Sequence, residues 1–122
     1  MPFISAATIT LNAAAASTVR SGDFAGAEYR GVIVNINLTT VTTATVTITF
    51  EGKDPLSGTY YTVLASTGIV AAGFSTLSVY PGIAVTANVS ANAPLPASWD
   101  IKVGFVGGSA AVTGTISTTL LA

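Results

Sequence analysis

The sequence predicts an all-β fold, a β-sandwich of about seven or eight antiparallel strands with immunoglobulin-like or jelly-roll-like connections. Apolar and polar residues alternate in several stretches with the period of 2 that a half-buried strand requires. Turn-forming residues separate these stretches about every 8–15 residues, and no stretch has a convincing helical period. The 122 residues suit a single domain, residues 1–122, with one sizeable core.

The N-terminal residues 1–20 have two interpretations that the sequence leaves open. The run from Phe3 to Leu11 is either an arm that reaches a neighbouring subunit or an edge strand of the domain's own sheet. Residues 13–16 are alanines, and a run this short does not nucleate a helix by itself. Residues 17–27 are predicted to form a loop.

The best-defined element is a β-hairpin over residues 43–65. Alternation is unbroken in its first strand, with Val46, Ile48 and Phe50 on one face and threonines on the other. Residues 51–58 hold three of the nine charged residues together with glycine and proline, which predicts an exposed turn. The second strand follows directly after this turn.

Further strands are predicted where alternation resumes, at residues 29–38, 74–81, 83–89, 99–105 and 112–120. Residues 39–42 are expected to be a connection, residues 88–96 a loop, and Gly107-Gly108 a hairpin turn. Trp99 begins a strand and is predicted to be a core residue rather than a platform for a ligand. The predicted inward-facing residues are Val34, Ile36, Val46, Ile48, Phe50, Leu64, Leu77, Trp99, Ile101, Val103, Phe105 and Ile116.

The chain carries unusually little charge. Only 7% of its residues are charged, against roughly 25% in a typical soluble domain, so it suits a permanent assembly better than a free monomer. The net charge of −1 and the scattered lysines and arginines argue against nucleic-acid binding. No apolar run reaches the roughly 20 residues of a membrane helix, and we expect no membrane partner.

The residue types needed for most catalysis are missing. The chain has no histidine and no cysteine, which removes the commonest general base, the strongest nucleophile and the main transition-metal ligands. The five carboxylates are not expected to converge, since Asp100 faces away from Trp99 and Ile101 and the others lie in loops or at strand ends. We therefore expect no enzymatic activity, no cofactor and no metal.

Two features of the hairpin have alternative interpretations. Glu51 and Asp54 could supply oxygens to Ca²⁺, but the favoured interpretation is a solvated turn in which Asp54 hydrogen-bonds its own backbone. Tyr60 and Tyr61 are adjacent in a strand and must point to opposite faces. One of them is therefore exposed or at an interface, where tyrosine is enriched.

The hairpin resembles a pattern in small structural proteins of tailed bacteriophages. The resemblance begins with the run FEGKDPLSGTYYTVLAS, residues 50–66, in which a strand ending near EGKDP leads through a Ser-Gly turn into an aromatic strand. The pieces LSVYPG at residues 77–82 and LPASW at residues 95–99 follow in the same order, before a closing threonine-rich strand. The resemblance covers roughly residues 30–120.

This resemblance implies a virion component with a β-sandwich fold. The expected function is that of a capsid decoration, or cement, protein, which is assembled in the host cytoplasm and binds the major capsid protein on the capsid surface as a homo-oligomer, a trimer or a dimer. The alternatives are a tail, neck or baseplate component, or a glycan-binding module of the virion. Since loops carry contacts while strands carry the core, the expected interface residues are Phe3, Ile4, Lys53, Asp54, Pro55, Leu56, Tyr60 and Tyr61.

Overall fold

The described part of the chain forms ten β-strands arranged in two sheets. The structure, a computed structural model, describes residues 4–14, 17–26, 29–42, 44–106 and 111–121. The strands are β1 (Ile4–Ala14), β2 (Ser17–Arg20), β3 (Phe24–Ala25), β4 (Gly31–Thr42), β5 (Thr45–Lys53), β6 (Tyr60–Ala65), β7 (Gly73–Val79), β8 (Ser90–Ala91), β9 (Ser98–Val106) and β10 (Ala111–Leu121). Within the described residues there is no helix long and apolar enough to cross a membrane.

The two sheets pack face to face, as predicted for a β-sandwich. The first sheet has the strand order β1-β10-β4-β7-β8, and the second has the order β2-β9-β5-β6, with the short β3 also paired to β9. All pairings are antiparallel except that of β7 with the two-residue β8. The prediction of an all-β sandwich is confirmed.

The order of pairing is that of a jelly roll. Apart from the two-residue strands β3 and β8, the strands pair from the outside inwards: β1 with β10, β2 with β9, β4 with β7, and β5 with β6. The chain therefore behaves as a long ribbon folded back on itself at the β5–β6 turn. Pairing of β4 with β10 and of β5 with β9 then winds the ribbon into two sheets.

The core lies between the sheets and contains all twelve predicted inward-facing residues. Trp99 is completely buried between Phe24 and Phe50, whose ring centroids lie 5.0 and 5.4 Å from its own. This confirms its assignment to the core. The other buried hydrophobic side chains are Val32, Leu38, Ala44, Val79, Leu95, Val112 and Leu120.

The described residues among the first twenty belong to strands. Residues 4–14 form β1 at the edge of the first sheet, and residues 17–20 form β2 at the edge of the second. The prediction of a loop over residues 17–27 is wrong in its first part because pairing with β9 stabilises a strand too short to be evident from its own alternation. Phe3 lies outside the described residues.

Residues 83–89 do not form the predicted strand. This segment contains an isolated bridge between Thr86 and Ser90, and Asn88 adopts a left-handed backbone with φ of 63°. The Ser90 hydroxyl donates to the Ala84 carbonyl and accepts from the Thr86 amide. These local hydrogen bonds close a turn where alternation alone predicts extension.

Two connections predicted as simple links behave differently. Residues 39–42 continue β4, where they pair with β10, rather than connecting two strands. The Gly107-Gly108 pair lies outside the described residues, but the strands on either side of it are in different sheets. The strands β9 and β10 therefore do not form the predicted hairpin with each other.

Candidate functional site

The β5–β6 turn carries three of the eight expected interface residues, Asp54, Pro55 and Leu56, and Lys53 lies directly before it. Residues 54–59, the hairpin tip, follow β5, which extends to Lys53, three residues beyond the predicted end of the strand. Glu51 is therefore part of the sheet and not of the turn. Leu56 is 96% exposed, the most exposed large hydrophobic side chain among the described residues.

Hydrogen bonds centred on Asp54 fix the hairpin tip. Its carboxylate accepts from the Leu56 amide at 3.1 Å and from the Ser57 hydroxyl at 2.6 Å. Its carbonyl accepts from the amide of Gly58, whose φ of 76° favours glycine. The Ser57 hydroxyl, with the Leu56 amide, lowers the pKa of Asp54. The tip thus has the predicted self-bonded geometry and holds Leu56 outward on an ordered backbone.

Tyr60 and Asp23 hold the base of the hairpin tip. The Asp23 carboxylate accepts from Lys53 Nζ at 2.7 Å and from the Tyr60 hydroxyl at 2.6 Å. These bonds lower the pKa of Asp23 and raise the pKa values of Lys53 and Tyr60. The Arg20 guanidinium lies 4.5 Å from the centroid of the Tyr60 ring. Tyr60 is thus engaged in contacts within the chain.

Tyr61 lies on the opposite face of β6, as predicted for adjacent residues of a strand. Its ring covers Gly52, where an added Cβ would approach the ring carbon Cζ to 2.3 Å. Nevertheless 49% of Tyr61 remains exposed. Tyr61 is therefore the more accessible of the two tyrosines.

Two carboxylates that the sequence places apart converge beneath Arg20. Glu51 and Asp100 are paired residues of β5 and β9, on the face of the second sheet that points away from the core. Arg20 Nη1 donates to Glu51 Oε1 at 2.7 Å and to Asp100 Oδ2 at 2.9 Å. The expectation that the carboxylates would not converge is wrong, because it rested on local alternation and not on cross-strand pairing.

Asp100 is fully buried although it points to the outer face of its sheet. Burial raises its pKa to about 6, and the neighbouring carboxylate of Glu51 acts in the same direction, while the hydrogen bond from Arg20 opposes the change. The side chain of Glu51 is only 5% exposed, and its second oxygen lies 3.6 Å from Lys102 Nζ. Both carboxylates are buried beneath Arg20 rather than exposed in a cleft, unlike the carboxylate pair of a glycosidase.

These contacts connect most of the charge of the protein. We use the term ionic network for Arg20, Asp23, Glu51, Lys53, Asp100 and Lys102 together with Tyr60. It contains six of the nine charged residues, three of each sign. The formal charges of these six residues therefore sum to zero. Among the described residues no group of three or more acidic, histidine or cysteine side chains is arranged to hold a metal ion.

A second surface feature is an apolar groove beside β7, which the sequence analysis did not anticipate. The β7 groove has a volume of about 400 Å³ and runs between β7 and residues 66–71, with Asn88 and Val89 at its side. Val70 and Phe74 are each 67% exposed there. The sequence did contain one indication of this apolar surface. In the alternation of β7, Phe74 falls on the outward face with Ser78, whereas Leu77 falls on the inward face.

The expected interface residues are only partly brought together. Lys53, Asp54, Pro55 and Leu56 lie on or beside the hairpin tip, and Tyr60 and Tyr61 lie at its base. Ile4 begins β1 in the other sheet, opposite Leu120. Their role in binding another protein stays a prediction.

Comparison with known proteins relates the chain to others by fold. No protein-family model matches it, and no curated protein matches its sequence significantly. It is similar to a chain in the structure of the infectious bursal disease virus Gx strain, with a TM-score of 0.52 and 10% sequence identity over 97% of this chain. The match spans 32% of that longer chain. The sandwich described above is thus a fold that also occurs within a protein of a virus.

Proposed function

We propose that this protein is a structural component of a bacteriophage virion, a capsid decoration protein that binds the major capsid protein and stabilises the head. The observation that carries the proposal is the jelly-roll order of its strands, an architecture that recurs in viral capsid proteins. The fold shared with a chain of a virus structure and the resemblance of residues 50–66 to phage structural proteins support it. Because a fold alone does not determine a function, the proposed binding must also be argued from the residues exposed on the surface.

The proposed mechanism is attachment by surface burial, without catalysis. The hairpin tip presents Leu56 on an ordered turn, with Tyr61 partly exposed at its base. Burying a leucine side chain that is already held in place contributes about 1.5–3 kcal/mol, and little ordering entropy opposes it. We propose that the tip inserts between neighbouring capsid subunits and bridges them on the capsid surface.

The test is binding of the purified protein to undecorated phage shells. We expect co-sedimentation of protein with shells and a rise in the melting temperature of the shells. Leu56→Lys should weaken binding by about tenfold or more, whereas Val85→Lys, at a 69% exposed site outside the tip, should leave it unchanged. Absence of binding together with unchanged shell melting would rule out the proposal.

The number of copies per virion separates this function from its main alternative. A capsid coat requires hundreds of copies, whereas a tail, neck or baseplate component is present in a few to a few dozen copies. A glycan-binding module is the other alternative, because lectin domains also use jelly rolls. It would need aromatic side chains exposed together, whereas Tyr61 and Phe74, the exposed aromatic residues of the described chain, lie on different sheets.

A further inference from the structure

The edge of the first sheet at β7 is left open. β7 pairs with β4 along its length, but β8 covers only Ser78 and Val79 on the other side. The amides of Ser78 and Tyr80 donate outward, to the carbonyls of Val89 and Ala91. Because backbone groups alternate along a strand, the amides of Phe74 and Thr76 point to the same side, where no described strand pairs with them.

This open edge lacks the features that usually prevent edge-to-edge association. Natural edges are commonly blocked by charged residues, prolines or bulges. The edge at β2 carries Arg20, and the edge strand β6 is paired through a bulge at Phe50 and Glu51. In contrast, the lining residues of the β7 groove include no charged residue. An uncharged strand edge beside exposed apolar side chains has the character of an interface.

We propose that the β7 edge joins two copies of this chain into a symmetric dimer, by antiparallel pairing of β7 with β7 of the second copy. A two-fold axis at Ser75 places Phe74 of each copy opposite Thr76 of the other. Phe74 and Thr76 both direct their amide and carbonyl groups outward, so each of the two pairs forms two hydrogen bonds. The first sheets of the two copies then become one continuous sheet.

A second copy fits this edge better than an unrelated strand because the edge is self-complementary. At a two-fold axis each residue meets itself or a near neighbour, so a charged residue there would repel its own copy. The edge avoids this with Ser75 on the axis and uncharged residues on both sides. Val70, Phe74 and Val89, all exposed in the single chain, line the β7 groove beside this edge.

Sedimentation velocity of the full chain at concentrations between about 1 and 100 µM tests the dimer, because this range brackets the dissociation constant expected of a moderately stable dimer. We expect monomers to give way to dimers as concentration rises. Phe74→Lys should raise the dissociation constant at least tenfold. Val106→Lys is the matched control, because Val106 is 70% exposed but lies on β9 of the other sheet, and it should leave the dimer unchanged.

A second variant removes a hydrogen bond without adding charge. Thr76→Pro deletes an outward amide but none of those that β7 directs to β4, and proline is tolerated on edge strands in this orientation. It should also favour the monomer, with circular dichroism confirming the fold. In NMR exchange experiments, the Phe74 and Thr76 amides should gain protection as concentration rises, while the Ser75 and Leu77 amides are protected throughout.

A protein that stays monomeric at every concentration would refute the dimer, as would a trimer or a dimer insensitive to both variants. The outcome is separate from that of shell binding. Dimers that do not bind shells would overturn only the proposed function. Monomers that bind shells would overturn only the pairing through β7.

Discussion

At the scale of single residues, Asp100 is the most unusual group in the protein. Its side chain is fully buried beneath Arg20, and one of its oxygens, Oδ1, has no hydrogen-bond partner among the described residues. A buried carboxylate of this kind is costly unless it is paired. Arg20 supplies the pairing charge and is itself held over the Tyr60 ring, so the stability of the outer face depends on one arginine.

Removing that arginine should destabilise the protein. We expect Arg20→Ala to lower the free energy of unfolding at neutral pH by about 1–3 kcal/mol, less than for a fully buried pair because the Arg20 side chain is 39% exposed. Urea denaturation measures the change. Lys102→Ala should lower the free energy of unfolding by no more than about 0.5 kcal/mol. The ion pair that it removes is a long one, with 3.6 Å between Lys102 Nζ and Glu51 Oε2. Equal losses in the two variants would contradict this account of the network.

The pKa of Asp100 predicts how stability changes with pH. The folded protein raises this pKa from 3.8 to about 6, so between these values the folded state binds a proton that the unfolded state has released. Stability from this group is therefore fully present below pH 3.8, and it is lost as pH rises through about 6. The groups facing Asp100 are Arg20, Glu51 and Tyr60.

Thermal melts at pH 5 and pH 7 should show this trend as a higher melting temperature at pH 5. Asp100→Asn should flatten the difference, because the amide does not titrate. The pKa values of Asp23 and Asp54 are lowered, so both groups titrate below pH 5. Their contributions to stability are lost only on acidification below that pH and do not affect the comparison. A wild type that is more stable at pH 7, with a slope unchanged in the variant, would refute the assignment.

At the scale of elements, the pairing of β10 with β4 depends on a glycine. The register of these strands shifts between Thr113 and Gly114, a bulge that brings two backbones close together. An added Cβ on Gly114 would lie 2.3 Å from the Asn37 carbonyl oxygen and 2.8 Å from the Leu38 Cα. Both are backbone atoms of the adjacent strand, which cannot rotate away as a side chain can.

Two glycine substitutions distinguish this close approach from a general effect of alanine in strands. Gly114→Ala should lower the free energy of unfolding by about 2 kcal/mol or more, because the two strands must separate. Gly104→Ala should change it by less than about 0.5 kcal/mol, since an added Cβ at Gly104 meets no atom within 4 Å. Chemical denaturation of both variants provides the measurement, and equal effects would contradict the argument.

At the scale of the whole molecule, the two outer faces differ in chemistry. The second sheet carries the ionic network on its outer face. The outward positions of β4, β7 and β10 in the first sheet carry uncharged residues, which include Asn35, Phe74, Thr76 and Ser117. In the proposed dimer the uncharged sheets join, which leaves the charged faces free to keep the particle soluble.

The nested pairing of strands predicts slow folding. β1 pairs with β10, so strands from the two ends of the chain must meet before the first sheet is complete. Closing such long loops costs entropy before contacts compensate for it, and all-β sandwiches fold in about milliseconds to seconds. Stopped-flow fluorescence can follow this process because Trp99 is the single tryptophan and is buried. Complete refolding within microseconds would contradict it.

Much of the fold could be predicted because alternation is a local property. A period of 2 assigns each residue of a strand to a face regardless of the strand's neighbours, and every residue assigned inward on this basis is buried. The shape of the hairpin tip followed equally from local chemistry, as Asp54 bonds its own turn. The failures, such as residues 17–20 and 83–89, are segments whose structure depends on a distant partner or on a local turn.

The sequence by itself determined the β class, the residues of the core and the shortage of charged and catalytic side chains. Only the tertiary structure decided which strands pair, and with that the jelly-roll order, the burial of Asp100 and the open edge at β7. The physical reason is range. The face of the sheet to which a side chain points depends on its neighbours in the sequence. In contrast, Arg20 contacts Glu51 and Asp100, which are 31 and 80 residues away in the chain, and no local sequence pattern predicts such contacts.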